Sequence, residues 1–157
     1  MNPKTLRTTF LIAVIALSGT MRARAELYLV HGNAAEAQYS PAWVSLVHMP
    51  HGLDGILMQN QSTYVNIPLS VTTDPTKYLR RVRVLFSAGP DVHVLTFALW
   101  DGGTLVKKRD GMWTGNIYLY MKAPDGYQVQ HGLCLSLMLI AGNSPTLSDR
   151  RFVVNAA

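Results

Sequence analysis

Cysteine is nearly absent: Cys134 stands alone in 157 residues, so no disulfide can form within the chain, and packing must hold the fold together. Charge is scarce as well, at 15% of residues against 48% hydrophobic, which points to a well-filled interior or to a surface that meets a partner. The chain has only nine Asp and Glu residues. Five of them (Asp54, Asp74, Asp101, Asp110 and Asp125) precede glycine or proline and read as turn or cap residues, which leaves few for the paired carboxylates of glycoside cleavage. No Gly-x-Ser-x-Gly nucleophile elbow is present. The uninterrupted apolar run Phe10–Leu17 is far shorter than the roughly 20 residues a membrane-spanning helix needs.

That short run belongs to another pattern. Lys4 and Arg7 precede it and Ala23-Arg24-Ala25 follows it, the three parts of a secretory signal with a predicted cut before Glu26. Residues 1–25 therefore read as a bacterial signal peptide and 26–157 as the mature domain, periplasmic or secreted, with no membrane span after cleavage. The leader also accounts for the charge. The whole chain carries +5, but Lys4, Arg7, Arg22 and Arg24 lie in the leader with no acid, so residues 26–157 carry +1. The basic balance is thus no argument for nucleic acid.

Beyond Glu26 the hydrophobic period is two almost throughout. Strands are predicted at Leu27–His31, Ala42–Met49, Gly55–Gln59, Thr63–Val71, Tyr78–Ala88, Val92–Trp100, Thr104–Arg109, Trp113–Lys122, Leu133–Ala141 and Arg151–Asn155. Pro50, Pro90, Pro124, Pro145 and four Asp-Gly pairs punctuate them. Asp101-Gly102-Gly103 and Asp110-Gly111 predict two hairpins, hence a three-strand antiparallel meander over Val92–Lys122. Helix is confined to Ala34–Gln38 and a single turn at Asp74-Pro75. The pattern predicts one all-β domain, an antiparallel β-sandwich of eight to ten strands, jelly-roll-like or immunoglobulin-like. Two strands, Val92–Trp100 and Leu133–Ile140, read as apolar on both faces. They call for cover from the chain's own residues 50–75 or from a protein partner or second copy docked on an apolar sheet face.

Chemistry-bearing clusters are thin. His48-Met49-Pro50-His51 offers soft ligands suited to a periplasmic metal, but no further ligand at metal spacing. Asp91 and His93 alternate to one face of a strand, the orienting pair a hydrolase would use, with no nucleophile indicated. Cys134, between Leu133 and Leu135, reads as a small hydrophobe. The clusters Arg80-Arg81-Val82-Arg83 and Lys107-Lys108-Arg109 read as a solvated face or as protection against edge pairing. The sequence assigns no catalytic residue, no metal site and no cofactor. Trp100, Asp101 and Trp113 are the candidate ligand-binding residues, because aromatic faces beside an acid suit a carbohydrate or peptide. The leading expectation is a non-catalytic binding or protein-interaction domain. The alternatives are the Asp91/His93 hydrolase and the His48/Met49/His51 metal-binding protein.

His31-Gly32-Asn33-Ala34, Ile67-Pro68, the run Val92-His93-Val94 leading to Trp100-Asp101-Gly102, and Gly132-Leu133-Cys134-Leu135-Ser136 occur in that order. In this the chain resembles a family of small uncharacterised bacterial β-proteins with a His-Gly-Asn-Ala opening, a Tyr-Asp-Gly hairpin and a Gly-Leu-Gly-Ile-Ser late strand. It departs from them at Trp100 and Cys134. The resemblance spans most of Leu27–Ala156 and implies an all-β fold without naming an activity.

Exported from a bacterial host, the chain is expected to begin at Glu26. Intact mass decides this, since a product retaining Arg22 and Arg24 contradicts the cleavage reading.

Overall fold

The computed structural model describes residues 34–38, 40–50, 52–71, 73–74, 76–121 and 126–156. The expected strand Leu27–His31 and the signal segment lie outside them. Among the described residues ten strands form two five-stranded antiparallel sheets. They are β1 (Glu36–Ala37), β2 (Trp43–Met49), β3 (Gly52–Leu57), β4 (Ser62–Leu69), β5 (Arg81–Ala88), β6 (Val92–Asp101), β7 (Thr104–Trp113), β8 (Ile117–Tyr120), β9 (Leu133–Ala141) and β10 (Arg151–Ala156). One sheet has the order β1-β4-β9-β6-β7 and the other β2-β3-β10-β5-β8. β9 and β10 are the central strands of the two sheets, and among the described strands only the connections β2–β3 and β6–β7 stay within one sheet; every other connection crosses between them. This is an antiparallel β-sandwich, as the strand spacing predicts.

Alternation explains the interior. Leu133, Leu135, Leu137 and Leu139 of β9 face inward with Val65 and Ile67 of β4. Across the gap, Phe152 and Val154 of β10 meet Val82, Val84 and Phe86 of β5, with the Phe86 and Phe152 rings 5.5 Å apart. The expected face pattern of β5, valines in and arginines out, is observed.

β6 does not follow simple alternation. Its register against β9 and β7 shifts between Val94 and Thr96, a β-bulge. The extra residue turns Val92, Val94, Phe97 and Leu99 all inward, each fully buried, and leaves His93, Thr96 and Trp100 partly exposed. The strand is therefore not apolar on both sides. The face expected to be largely apolar is mixed, and the strands that residues 50–75 form, β3 and β4, lie within the sheets themselves rather than over it.

Three other expectations are corrected. Residues 34–38 hold β1, paired to β4 through Glu36–Asn66 and Ala37–Val65, rather than a helix. Asp110-Gly111 is not a turn but lies inside β7; a Cβ at Gly111 would stand 2.4 Å from Cζ2 of Trp113, so glycine is there to admit the indole. The third strand of the expected meander, β8, leaves for the other sheet and pairs with β5. The Gly102-Gly103 hairpin does form, with Gly102 at φ +54°. At Asp74, the Thr76 backbone and hydroxyl donate to Oδ1 (2.9 and 2.7 Å), the turn that was expected.

Because no cross-link supports the interior, large-to-small changes at its centre fall on packing alone. Phe152→Ala is expected to cost about 3–5 kcal/mol in a urea titration, and Val44→Ala on the exposed flank under 1 kcal/mol. Equal effects would contradict the assignment of the core.

Candidate functional site

The outer face of the sheet β1-β4-β9-β6-β7 carries a groove of about 570 Å³ that runs across its strands. Register arranges the outward residues of this sheet face, most of which line the groove, in three rows. The middle row is Glu36, Asn66, Ser136, Ala98 and Lys108, one residue from each strand in spatial order. On one side of it run Tyr64, Met138, Thr96 and Asp110, and on the other Pro68, Cys134, Trp100 and Leu105. Ala98, Ser136 and Cys134 make a low floor. Tyr64, 41% exposed, stands on one side of that floor and the Trp100 indole on the other.

Polar groups ring this floor. The Ser136 hydroxyl donates to Asn66 Oδ1 (2.6 Å), and no hydrogen bond among the described residues uses the Asn66 amide N–H groups. Thr96 Oγ1 donates to Asp110 Oδ1 (2.8 Å), and the Lys108 ammonium lies 3.0 Å from Asp110 Oδ2. The Thr96 hydroxyl and then Lys108 hold the Asp110 carboxyl below the usual range. Gln38 closes the β1 end. Burial pushes the Cys134 thiol up, so it stays protonated, a weak polar group rather than a nucleophile.

Of the three residues singled out from sequence, only Trp100 lines this groove. Trp113, opposite Val94, packs against the core from the inner side of β7, with the Arg109 guanidinium 5.5 Å from its ring. Asp101 is 1% exposed on the inner face and belongs to the fold. Its Oδ1 accepts from the backbone N–H of His131 and Gly132 (both 2.8 Å), and its Oδ2 from Gln130 N (2.7 Å) and Tyr127 Oη (2.9 Å). One carboxylate thereby fastens residues 127–132, the approach to β9, to the end of β6. Tyr64, Asn66, Thr96 and Ser136 are the residues the sequence reading missed. Their signal is their place on the outward parity of their strands, but register is needed to unite them.

The geometry bears directly on the Asp91/His93 alternative. Asp91 Oδ2 accepts from Ser144 N (2.8 Å) and His93 Nδ1 is buried with no hydrogen-bond partner among the described residues, so the two do not form an orienting pair. His51 lies outside the described residues. Among those described, no group of three or more His, Cys, Asp or Glu side chains converges to hold a metal ion. No helix among them is long and apolar enough to cross a membrane.

No protein-family model matches the chain, and no curated protein matches it. Among solved structures it is similar to TmCBM61, solved in complex with β-1,4-galactotriose, at 12% identity and a TM-score of 0.48, covering 80% of this chain and 88% of that one. It is also similar to the secreted serine protease VesC from Vibrio cholerae, at 9% identity and a TM-score of 0.40, covering 78% of this chain and 23% of the protease.

The Asp101 clamp makes a prediction about acid. Burial alone raises its carboxyl, but the Gln130, Gly132 and His131 N–H donors and the Tyr127 hydroxyl outweigh that and bring it down to about 2. A depressed folded pKa contributes stability that is complete above the unfolded value and disappears as pH falls through the folded one. About 2 kcal/mol is therefore expected to be lost between roughly pH 4 and pH 2. Asp101→Asn should be less stable at pH 7 and show a flatter decline over that window in chemical denaturation. An unchanged acid profile would contradict the clamp.

Proposed function

We propose that the chain is a non-catalytic carbohydrate-binding domain whose ligand lies in the groove across β4, β9 and β6. The observation that carries this reading is the pairing of Tyr64 and Trp100 on either side of a low polar floor. A sugar ring has apolar C–H faces and a rim of hydroxyls. Aromatic side chains cover the former, and the amide, hydroxyl and ammonium groups of Asn66, Gln38, Ser136 and Lys108 are suited to the latter. A peptide fits less well, since an extended peptide takes up an open strand edge and this groove lies on a sheet face.

Charge placement supports binding over cleavage. Glu36 and Asp110 are the carboxylates that share this face among the described residues, on the first and last strands of the sheet. Four inter-strand steps of roughly 4.8 Å put them about 19 Å apart, beyond the roughly 5–9.5 Å that retaining and inverting glycosidases use. Asp110 is also tied to Lys108 and Thr96. Read with the leader at residues 1–25, the domain would meet its glycan in the periplasm or outside the cell.

Titration calorimetry against a panel of neutral oligosaccharides tests the reading. Trp100→Ala and Tyr64→Ala should each weaken binding by about tenfold or more, in line with roughly 1–1.5 kcal/mol per aromatic contact, while leaving the melting temperature near the parent value. Binding that survives both substitutions, or a panel without a binder, would remove the proposal.

A further inference from the structure

The sheet β2-β3-β10-β5-β8 carries a second surface, on the opposite side of the sandwich from the groove. Arg81 and Arg83 alternate outward along β5 while Val82 and Val84 enter the core. Register places Arg83 beside Tyr118 and Arg81 beside Tyr120 on β8. The two guanidinium carbons lie 5.3 Å (Arg83) and 5.7 Å (Arg81) from the Tyr118 ring centre. The Tyr118 and Tyr120 rings stack at 6.3 Å with 17° between their planes, and Tyr120 is 62% exposed.

Neither bland role for these arginines fits. Edge protection does not apply, because β5 lies inside its sheet between β10 and β8. Charge balance does not apply either. Lys108 pairs with Asp110 and Arg151 with Asp54, but among the described residues Arg81 and Arg83 have no carboxylate partner. Asp54, the acid on this sheet face, is engaged with Arg151 through Nε (2.9 Å) and Nη2. Two like charges are thus held roughly 6.6 Å apart along one strand, over an aromatic pair, without a counter-charge among the described residues. A guanidinium lying on a ring keeps its in-plane N–H donors available for an anion.

We infer that this Arg81/Arg83/Tyr118/Tyr120 surface binds an anionic polysaccharide, with sugar rings against the tyrosines and carboxylate or sulfate groups taken by the two guanidiniums. Carboxylate and sulfate present the same bidentate acceptor geometry to arginine, so the charged group is defined by its chemistry rather than its source. A membrane surface is disfavoured, because headgroup binding relies on clusters of about four to eight basic residues. Single-stranded nucleic acid, which also stacks on aromatics, needs a basic track along its backbone, and residues 26–157 carry a net charge of only +1.

The test uses the whole chain with oligogalacturonate (carboxylate) and a heparin oligosaccharide (sulfate) as probes, read by calorimetry at low and high salt. Binding of one or both is expected, weakened about tenfold by raised salt and at least tenfold in an Arg81→Ala/Arg83→Ala variant. Arg83→Lys keeps the charge but loses the planar stack and bidentate fork, and should weaken binding several-fold. This variant decides the matter if the double variant fails to fold. Trp100→Ala should leave binding of these anions unchanged, which separates this surface from the neutral-glycan groove. No binding to either probe, binding indifferent to the arginine substitutions, or loss in Trp100→Ala alone would overturn the inference. So would binding to single-stranded DNA or phosphatidylglycerol vesicles with none to the saccharides.

Discussion

Everything in this sandwich depends on burying a single apolar row from each central strand against its counterpart. With Cys134 alone, no covalent tie supplements that contact. The leucines of β9 and the Phe152/Val154 pair of β10 lie mid-sheet, so each supports strands on both sides. Filling the space between the sheets fixes which parity of every strand faces in. The opposite parity is then free to vary in chemistry, and on both outer faces it carries aromatic and polar side chains rather than a continuous apolar coat.

The bulge in β6 is where this constraint shapes the groove. Without it, a strand reading Val92, Val94, Thr96, Ala98, Trp100 on one parity would have to bury Trp100 or expose its valines. One extra residue between Val94 and Thr96 lets the valines go in and the indole come out. The same step places Ala98 and Thr96 beside Ser136 and Met138, which lowers the floor next to Trp100. Asp101 ends the strand on the inner side, and its four hydrogen bonds fix the segment that leads into β9. Groove and core clamp are therefore adjacent residues on opposite faces of one strand.

The strands were legible because period-two burial is a local property; β9 and β10 match their expected spans within a residue. The bulge was not legible. No glycine marks it, and the parity change shows only once β6 is laid against its neighbours. Asp110-Gly111 misled for a related reason. Asp-Gly looks the same whether glycine serves a turn or makes room for an indole, and here Trp113 decides. Trp100 was identifiable as a large aromatic at a strand end. Its partners Tyr64, Asn66 and Ser136 were not, because they sit on strands about 35 positions away from it in sequence and only pairing register brings them level. Asp101 was noticed for its charge, yet that charge is spent on backbone amides.

The placement of β9 and β10 also bears on the order of events in biosynthesis. Each sheet has its middle strand supplied by residues 133–156, so β4 and β6, like β3 and β5, have nothing between them until that stretch has been made. Earlier segments are left with hairpins such as β2–β3 and β6–β7, which hold little structure by themselves. A nascent chain of this design stays pliable during synthesis and commits to its shape late, through contacts distant in sequence. That delay would suit a polypeptide that must be threaded through a narrow channel before it folds.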